Sequence, residues 1–274
     1  MLLDVLIDQP APFDPLILLL AALVIDACIG GRFLADVIPH PVSIIGAAVA
    51  WLEAKLNREH RPARDRMLRG GLVAAFVIVS SAAVGLGITW LSFTIPYAWL
   101  SELFLVTWLL AQRSLFNHVR TVGRALKTQG LQAGRKAVAH IVGRDVRRLD
   151  AYGVARAAIE SCAENYNDAV VAPTFWYAVF GFPGLLVYKA VNTMDSMIGH
   201  RSPRYRAFGM VAARTDDLAN VLPARLAGVF LCAAALFVPV DRAAVDVAAG
   251  EVAAVDLAAV DLAAVELAAA ERAA

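Results

Sequence analysis

The chain has 274 residues, a net charge of +1, a 59% hydrophobic composition and a mean hydropathy of +0.63. Average soluble domains are roughly 45–50% apolar, so the excess points to a bilayer, and the near-neutral balance gives no general attraction to nucleic acid. The three cysteines, Cys28, Cys162 and Cys232, lie far apart without a CxxC pair, which excludes a disulfide framework or a zinc site as the organising feature. The chain begins MLLDVLIDQ, acidic rather than basic, and this does not read as a secretory signal.

Residues 16–29 form a short apolar run with Asp26 inside it, fit for a tilted span or a buried helix. His40-Pro41 then leads into an amphipathic stretch through Trp51, Leu52 and Leu56, whose polar side is marked by Glu53, Lys55 and Asn57; it is expected at the membrane interface. Residues 72–93 carry no charge and are long enough to cross a hydrocarbon core of about 30 Å. Arg69 and Trp90 flank that span as interfacial anchors. Pro96 ends it, and residues 97–112 return as a second apolar stretch containing Glu102, so that the two read as a helical hairpin.

Cationic side chains crowd into residues 55–69, 113–156 and 201–225. Residues 169–188 are uncharged but interrupted by Pro173 and by Gly181-Phe182-Pro183-Gly184. A simple span there would put the second and third basic segments on opposite sides of the membrane. A broken, re-entrant hairpin keeps both in the cytoplasm and satisfies the positive-inside rule, so a hairpin is expected. Residues 226–240 are a last apolar run. From Asp241 the composition collapses to Ala, Val and Leu with an acid at every fifth position, from Asp246 to Glu271. A five-residue step advances an α-helix by about 140°, so these acids spiral and form no face. The expected class is therefore all-α, a polytopic integral-membrane protein with amphipathic and re-entrant helices. Residues 1–240 would form the membrane-embedded catalytic domain and residues 241–274 a low-complexity tail.

Chemistry concentrates in residues 158–225. In AIESCAENYNDAVVAPTFWY, Glu160, Glu164 and Asp168 recur at four-residue steps and would share one helix face. Acids at the entrance to an apolar segment repel one another and resist desolvation, and a magnesium ion or a cationic side chain relieves both costs. The plain alternative is a solvated acidic face paired with arginines. In YKAVNTMDSMIGHRSPRYRAFG, Lys189, Asn192 and Asp195 fall at three-residue steps on one side of a helix that ends at Gly199. Arg201, Arg204 and Arg206 follow, with planar forks suited to phosphate or carboxylate, or simply a positive-inside loop. In AARTDDLANVLPARLAG, Asp216 and Asp217 sit between Arg214 and Arg225. No Walker loop, HExxH, GxSxG or Rossmann fingerprint occurs. His60, His118 and His140 lie in basic segments without ligand spacing and read as surface residues.

HPVSIIG at 40–46, IVGRDVRRLD at 141–150, ESCAEN, ND and VAP in the run from 157, KAVNTMDSMIGHRSPRYRAFG and AARTDDLANVLPARL together resemble the adenosylcobinamide-phosphate synthases, the CobD/CbiB family, over about residues 16–239. The resemblance implies a polytopic membrane enzyme that condenses adenosylcobyric acid with aminopropanol phosphate or ethanolamine phosphate, with ATP cleavage, to form an amide. Its partners would be the corrinoid, the amino-alcohol phosphate, the bilayer of the cell membrane and other cobalamin-pathway enzymes. Where the family often has Gly-Asp-Pro after the first apolar run, Gly30-Gly31-Arg32 stands here, and the repetitive tail replaces an SPN-containing segment.

On that basis magnesium, with ATP as co-substrate, is expected on Glu164, Asp168, Asp216 and Asp217, where it would neutralise phosphate charge. Arg201, Arg214 and Arg225 would hold the amino-alcohol phosphate, and His40, Lys189 and Asn192 would complete the substrate site. Glu160 would take the proton from the attacking amine, with Glu164, Asp168 and Asp195 as the other candidate catalytic acids. Two other classes fit part of the pattern. One is an intramembrane transferase acting on a diphosphate lipid; the other is a non-catalytic corrinoid-pathway subunit. Neither would hydrolyse ATP in response to adenosylcobyric acid.

The basic segments generate a topological prediction. Single cysteines at positions 64, 135 and 204 should all react with an impermeant thiol reagent only from the cytoplasmic side. Labelling at position 204 from outside would sink the re-entrant hairpin.

Overall fold

The computed structural model describes residues 13–30, 40–143 and 145–237; the repetitive tail and the Gly31-Arg32 departure lie outside them. Two compact units are delimited, Met1–Val229 and Phe230–Ala274, and every side chain discussed below belongs to the first. All regular structure among the described residues is helical. The helices are α1 (Pro15–Cys28), α2 (Pro41–Leu56), α3 (Ala63–Thr94), α4 (Trp99–Leu109), α5 (Gln112–Gln129), α6 (Leu131–Val138), α7 (Ala151–Tyr166), α8 (Ala172–Ile198) and α9 (Met210–Ala235), with a π-helical turn, Asn167–Val171, between α7 and α8.

The starts follow ordinary capping rules. The Asp14 carboxylate accepts the Leu16 N–H at 2.8 Å, with Pro15 in the first turn, and the Asp150 carboxylate accepts the Gly153 N–H at 2.6 Å. Three helical stretches, Ala63–Thr94, Ala151–Ile198 and Met210–Ala235, are long and apolar enough to cross a membrane. Along α3, Leu72, Phe76, Val79, Val84, Leu86 and Trp90 point outward, an apolar surface that a bilayer would cover.

The middle stretch is not one rod. Gly181 has φ 67° and ψ −157°, outside helical geometry, and divides α8 into two arms. A Cβ added at Gly184 would land on the Trp176 carbonyl oxygen. A continuous helix would separate positions eight apart by about 12 Å, so the chain folds back here. The break expected at 181–184 is thus a helical hairpin. Its first arm, residues 172–180, is about 14 Å long, near half of a hydrocarbon core.

The apolar return expected over 97–112 is helical over Trp99–Leu109, and α4, with 11 residues, reaches about 16 Å. It stops because Leu110 turns extended, at φ −82° and ψ 153°, and the Ala111 N–H donates to the Ala169 carbonyl at 3.2 Å instead of continuing the helix. The strongly amphipathic helices are α5 and α6 rather than α2. Val122, Ala125 and Val138 turn inward, while Arg120, Arg124 and Lys127 stay exposed. On α2, by contrast, Trp51 and Ile44 are exposed.

Three apolar clusters hold the unit together. Leu18, Leu19 and Ala22 of α1 pack with Val106 and Leu109 of α4 and Tyr177 and Phe182 of the hairpin. Val49, Val73, Val77, Ala190, Met194 and Phe208 join α2, α3 and the second arm. Val122, Val138, Val154 and Ala157 join α5, α6 and α7. Glycines let α3 lie against the hairpin. A Cβ on Gly85 would stand 2.6 Å from Pro183 Cα, and one on Gly70 would strike the Phe208 carbonyl. These contacts are fifteen residues apart, so about 22 Å of α3 lines the second arm and its following loop. That loop is clamped. Arg204 forks onto Glu53 at 3.0 and 3.1 Å, and Arg66 donates to the Asn57 side chain at 3.0 Å and to the Arg204 carbonyl.

The glycine contacts set up a direct comparison. Gly70→Ala should lower stability by about 1–3 kcal/mol, because backbone must move to admit the methyl group. Gly87→Ala, where a Cβ meets nothing within 4 Å, should be neutral or up to about 1 kcal/mol stabilising from helix propensity. Thermal unfolding of both variants in detergent measures the difference. Equal effects would show that α3 does not approach the 199–209 loop this closely.

Candidate functional site

The fold-back brings the two ends of the hairpin together. Asp168 and Tyr188 are twenty residues apart, which a straight helix would spread over about 30 Å. Here the Tyr188 hydroxyl lies 3.2 Å from Asp168 Oδ1 and the Asn192 amide donates to Asp168 Oδ2 at 3.1 Å. Lys189 Nζ reaches the Asp168 main-chain carbonyl at 3.4 Å and interacts with the Asp168 charge. Tyr188, Asn192 and Asp195 recur at steps of four and three on the second arm, which is why one helix presents all of them together.

Helix α9 supplies the other wall. The Asn220 amide donates to Asp216 Oδ2 at 2.9 Å, one turn away, and to the Asp216 carbonyl at 3.1 Å. Its carbonyl oxygen accepts from the Tyr188 hydroxyl at 3.0 Å and from the Asn167 amide at 2.7 Å, and that amide also lies 2.7 Å from Asp168 Oδ1. Asn220 is thus the bridge between the carboxylates of the hairpin and of α9. Asp168, Asp195 and Asp216 lie within range of one another's charge. Two acceptors in this cluster, Asp216 Oδ1 and Asn167 Oδ1, are buried without a hydrogen-bond donor. A buried oxygen without a donor costs roughly 1–3 kcal/mol, so the cluster suits a ligand that brings positive charge or protons.

The π turn decides which acids meet. Glu160, Glu164 and Asp168 would share a face on an unbroken α-helix, but the wider turn at Asn167–Val171 breaks the four-residue register. Asp168 turns into the cluster. Glu160 and Glu164 stay exposed on α7, in a hollow bounded by Ile141, Val142, Gly143 and Ser161, and Glu160 pairs with Arg156 at 2.9 Å. Asp217 is exposed beside Asp216 and within reach of the Asp195 charge. Among the described residues no three His, Cys, Asp or Glu side chains converge as a metal-ligand set, so Glu164, Asp168, Asp216 and Asp217 do not form the single group expected from spacing.

Of the expected substrate contacts, Lys189 and Asn192 lie in the cluster. Arg201 and Arg214 are exposed, with no acid partner among the described residues, and Arg225 bonds the Val221 carbonyl of its own helix. His40 sits close enough to feel the Lys189 charge, but both its nitrogens are engaged. Nδ1 accepts the Val42 N–H at 3.2 Å and caps α2, so Nε2 carries the proton and donates it to the Trp108 carbonyl at 2.9 Å. It therefore positions α2 against α4 instead of offering a free nitrogen to substrate. Burial, with a smaller contribution from Lys189, holds its pKa below the ordinary imidazole value despite the opposing Trp108 carbonyl.

Asn167, Tyr188 and Asn220 escaped the sequence argument because neutral side chains carry no charge pattern. The faint signal was the four-residue step from Asp216 to Asn220. Beside the cluster an apolar groove of about 460 Å³ runs between the hairpin and α9, lined by Trp176, Phe180, Val187, the Tyr188 ring and Leu218.

A family model described as CobD/Cbib protein matches residues 19–267. A cobalamin biosynthesis protein CobD from a Sinorhizobium species is 48% identical over 223 residues, covering 81% of this chain and 69% of the relative. A protein of the same description from Brucella anthropi is 45% identical over 232 residues, 83% of this chain and 70% of the relative. No solved structure matches.

His40 gives the site a pH signature. Its lowered folded pKa means that its share of stability is full above the unfolded value of about 6.5 and is lost as pH falls through the folded value. The parent protein should therefore lose more thermal stability between about pH 7.5 and about pH 5.5 than His40→Asn does. Identical pH profiles would show that the ring is not held as a neutral cap.

Proposed function

We propose, because the chain belongs to the CobD/Cbib protein family, that it is an acid–amine ligase of cobalamin biosynthesis. It uses ATP to join aminopropanol phosphate or ethanolamine phosphate to the carboxylate of adenosylcobyric acid, giving adenosylcobinamide phosphate. It works as a multi-pass protein of the cell membrane, with the basic segments in the cytoplasm.

One arrangement supports this above all. Asp168, Asp195 and Asp216 stand together with two donor-less buried oxygens, where the two ends of the hairpin meet α9. A carboxylate does not acylate an amine at neutral pH, because oxide is too poor a leaving group. Transfer of the γ-phosphoryl group of ATP to the substrate carboxylate releases ADP and gives an acyl phosphate. The amine then attacks the acyl carbon, the C–N bond forms, and the C–O bond to phosphate breaks.

Magnesium accompanying ATP fits Asp168, Asp216 and the Asn167 carbonyl. Two carboxylates suffice, since this ion keeps water and phosphate oxygens in the rest of its shell. When bound it supplies charge neutralisation on the phosphates. The chain's own groups do the remainder. Asn192, Tyr188 and Lys189 fix Asp168, and Asn220 fixes Asp216. Arg201 and Arg214, exposed and without acid partners among the described residues, receive the phosphate of the amino alcohol. Asp195, half-buried beside the exposed Asp217, takes the proton that the amine must lose.

Asp168→Asn and Asp216→Asn keep size and remove charge. Each should slow adenosylcobinamide-phosphate formation roughly a hundredfold or more, the scale of several kcal/mol of lost charge stabilisation. Asp145→Asn, on an exposed loop and paired with Arg147, should change nothing. ATP hydrolysis by the parent should require adenosylcobyric acid. Full activity in both cluster variants would refute this site, and hydrolysis indifferent to the corrinoid would refute the reaction.

A further inference from the structure

Helix α9 has little apolar packing to hold it. Its buried side chains are Ala212, Asp216, Pro223 and Ala227, while Leu218 and Leu222 are exposed. The start of the helix is fixed, because Ala212 joins the cluster of α2, α3 and the second hairpin arm. About 10 Å further along, Ala219 borders the apolar groove between the helix and the hairpin. Directional bonds, more than interlocking side chains, must therefore set where this part of α9 lies.

Pro223 makes one such bond available. It lies inside α9 and has no N–H, so the Ala219 carbonyl, four residues earlier, has no donor from its own helix at that position. Within a membrane a freed carbonyl has to be satisfied by a neighbouring group. This one accepts the Trp176 Nε1–H at 3.1 Å. The indole is itself held in place. It stacks on Phe180 at 5.7 Å with 10° between the planes, and meets Phe175 edge to face at 5.2 Å. Its main chain is fixed by Gly184, where an added Cβ would land on the Trp176 carbonyl oxygen. The next residue of α9, Asn220, accepts the Tyr188 hydroxyl at 3.0 Å. Ala219 and Asn220 are thus tied to the first and second arms respectively, one turn beyond Asp216.

We propose that Trp176 is a positioning residue. Through the carbonyl that Pro223 leaves free, its indole N–H holds α9, and with it Asp216 and Asn220, against the Asp168 end of the hairpin. The effect on magnesium rests on Asp168 and Asp216 sharing that ion in the proposed ligase reaction. The effect on the position of α9 does not.

The bond satisfies a carbonyl and ties two helices, and these roles are separable. Trp176→Phe keeps an aromatic ring beside Phe180 but removes the N–H. Adding Pro223→Ala returns an N–H to the Ala219 carbonyl from within α9, so the double variant regains the carbonyl's partner but not the tie. The full-length protein in detergent, in an otherwise cysteine-free background, carries spin labels in place of the exposed Ser196 and Leu222. Pulsed electron paramagnetic resonance then reads the distance between the second arm and α9. Trp176→Phe should broaden this distribution and lower the thermal midpoint. The double variant should recover the midpoint but keep the broad distribution. Pro223→Ala alone retains the indole bond, since a carbonyl has two lone pairs, and should match the parent distribution. In Trp176→Phe and in the double variant, the magnesium concentration giving half-maximal adenosylcobinamide-phosphate formation should rise about three- to tenfold, the scale of one hydrogen bond, with the rate at saturating magnesium nearly unchanged. A parent-like distribution in the double variant would overturn the proposal, because Trp176 would then only satisfy a carbonyl. Pro223→Ala alone as broad as Trp176→Phe would overturn it too. Broadening with an unaltered magnesium requirement would uphold the tie and refute the shared magnesium. If Trp176→Phe does not fold, the double variant, whose carbonyl is satisfied, carries the test.

Discussion

A carboxylate bordered by apolar helices must find its partners within the chain, and for Asp168 those beyond its neighbour Asn167 are in reach because the helix stops at Gly181. A positive φ of 67° is open to glycine at little cost, whereas a side chain there would be strained. The reversal returns Tyr188, Lys189 and Asn192 to the level of Asp168, twenty to twenty-four residues back along the chain. The same reversal presents Trp176 and Tyr188 to α9, where Trp176 Nε1 donates to the Ala219 carbonyl at 3.1 Å and Tyr188 meets Asn220. Without the turn, the cluster would be three carboxylates on unrelated surfaces.

How the cluster is satisfied explains its composition. Asp168 is met by neutral donors, the Asn167 and Asn192 amides, with the Tyr188 hydroxyl beside it and Lys189 on the main-chain carbonyl behind it. Such a shell stabilises a carboxylate without neutralising it, which leaves the charge available to a ligand. Arg204 shows the contrary arrangement. Its fork is closed on Glu53 in a bidentate pair, which raises its already high pKa further and removes it from any role in anion capture. Arg201 and Arg204, three residues apart in one basic stretch, therefore differ: Arg204 is closed on Glu53, while Arg201 is exposed.

Much of the fold could be read from composition and punctuation. The uncharged run of α3, the break at Gly181-Phe182-Pro183-Gly184 and the end of α8 at Gly199 all rest on backbone chemistry that single residues declare. The three-residue steps of Lys189, Asn192 and Asp195 likewise place these side chains on one face. What spacing could not reveal was the π turn, since an inserted residue leaves no compositional mark, and it sends Asp168 one way and Glu164 another. Nor could spacing reveal that His40 would use both nitrogens at home, because that depends on a carbonyl sixty-eight residues away. The end of α4 was hidden for the same reason: apolarity of 97–112 was visible, but the Ala111–Ala169 bond that ends the helix was not.

The clamp between Glu53, Arg66 and Arg204 has a consequence for the order of assembly. Glu53 and Arg204 are separated by 151 residues, whereas the hairpin closes through pairs about twenty apart. At roughly 5–20 residues per second, the ribosome needs about eight to thirty seconds to deliver Arg204 after Glu53 has emerged. Throughout that interval Glu53 lacks the cation it pairs with in the finished protein. The hairpin, by contrast, is complete within a second or a few of its own synthesis. The N-terminal half of the bundle is thus locked last, by a residue from its C-terminal half.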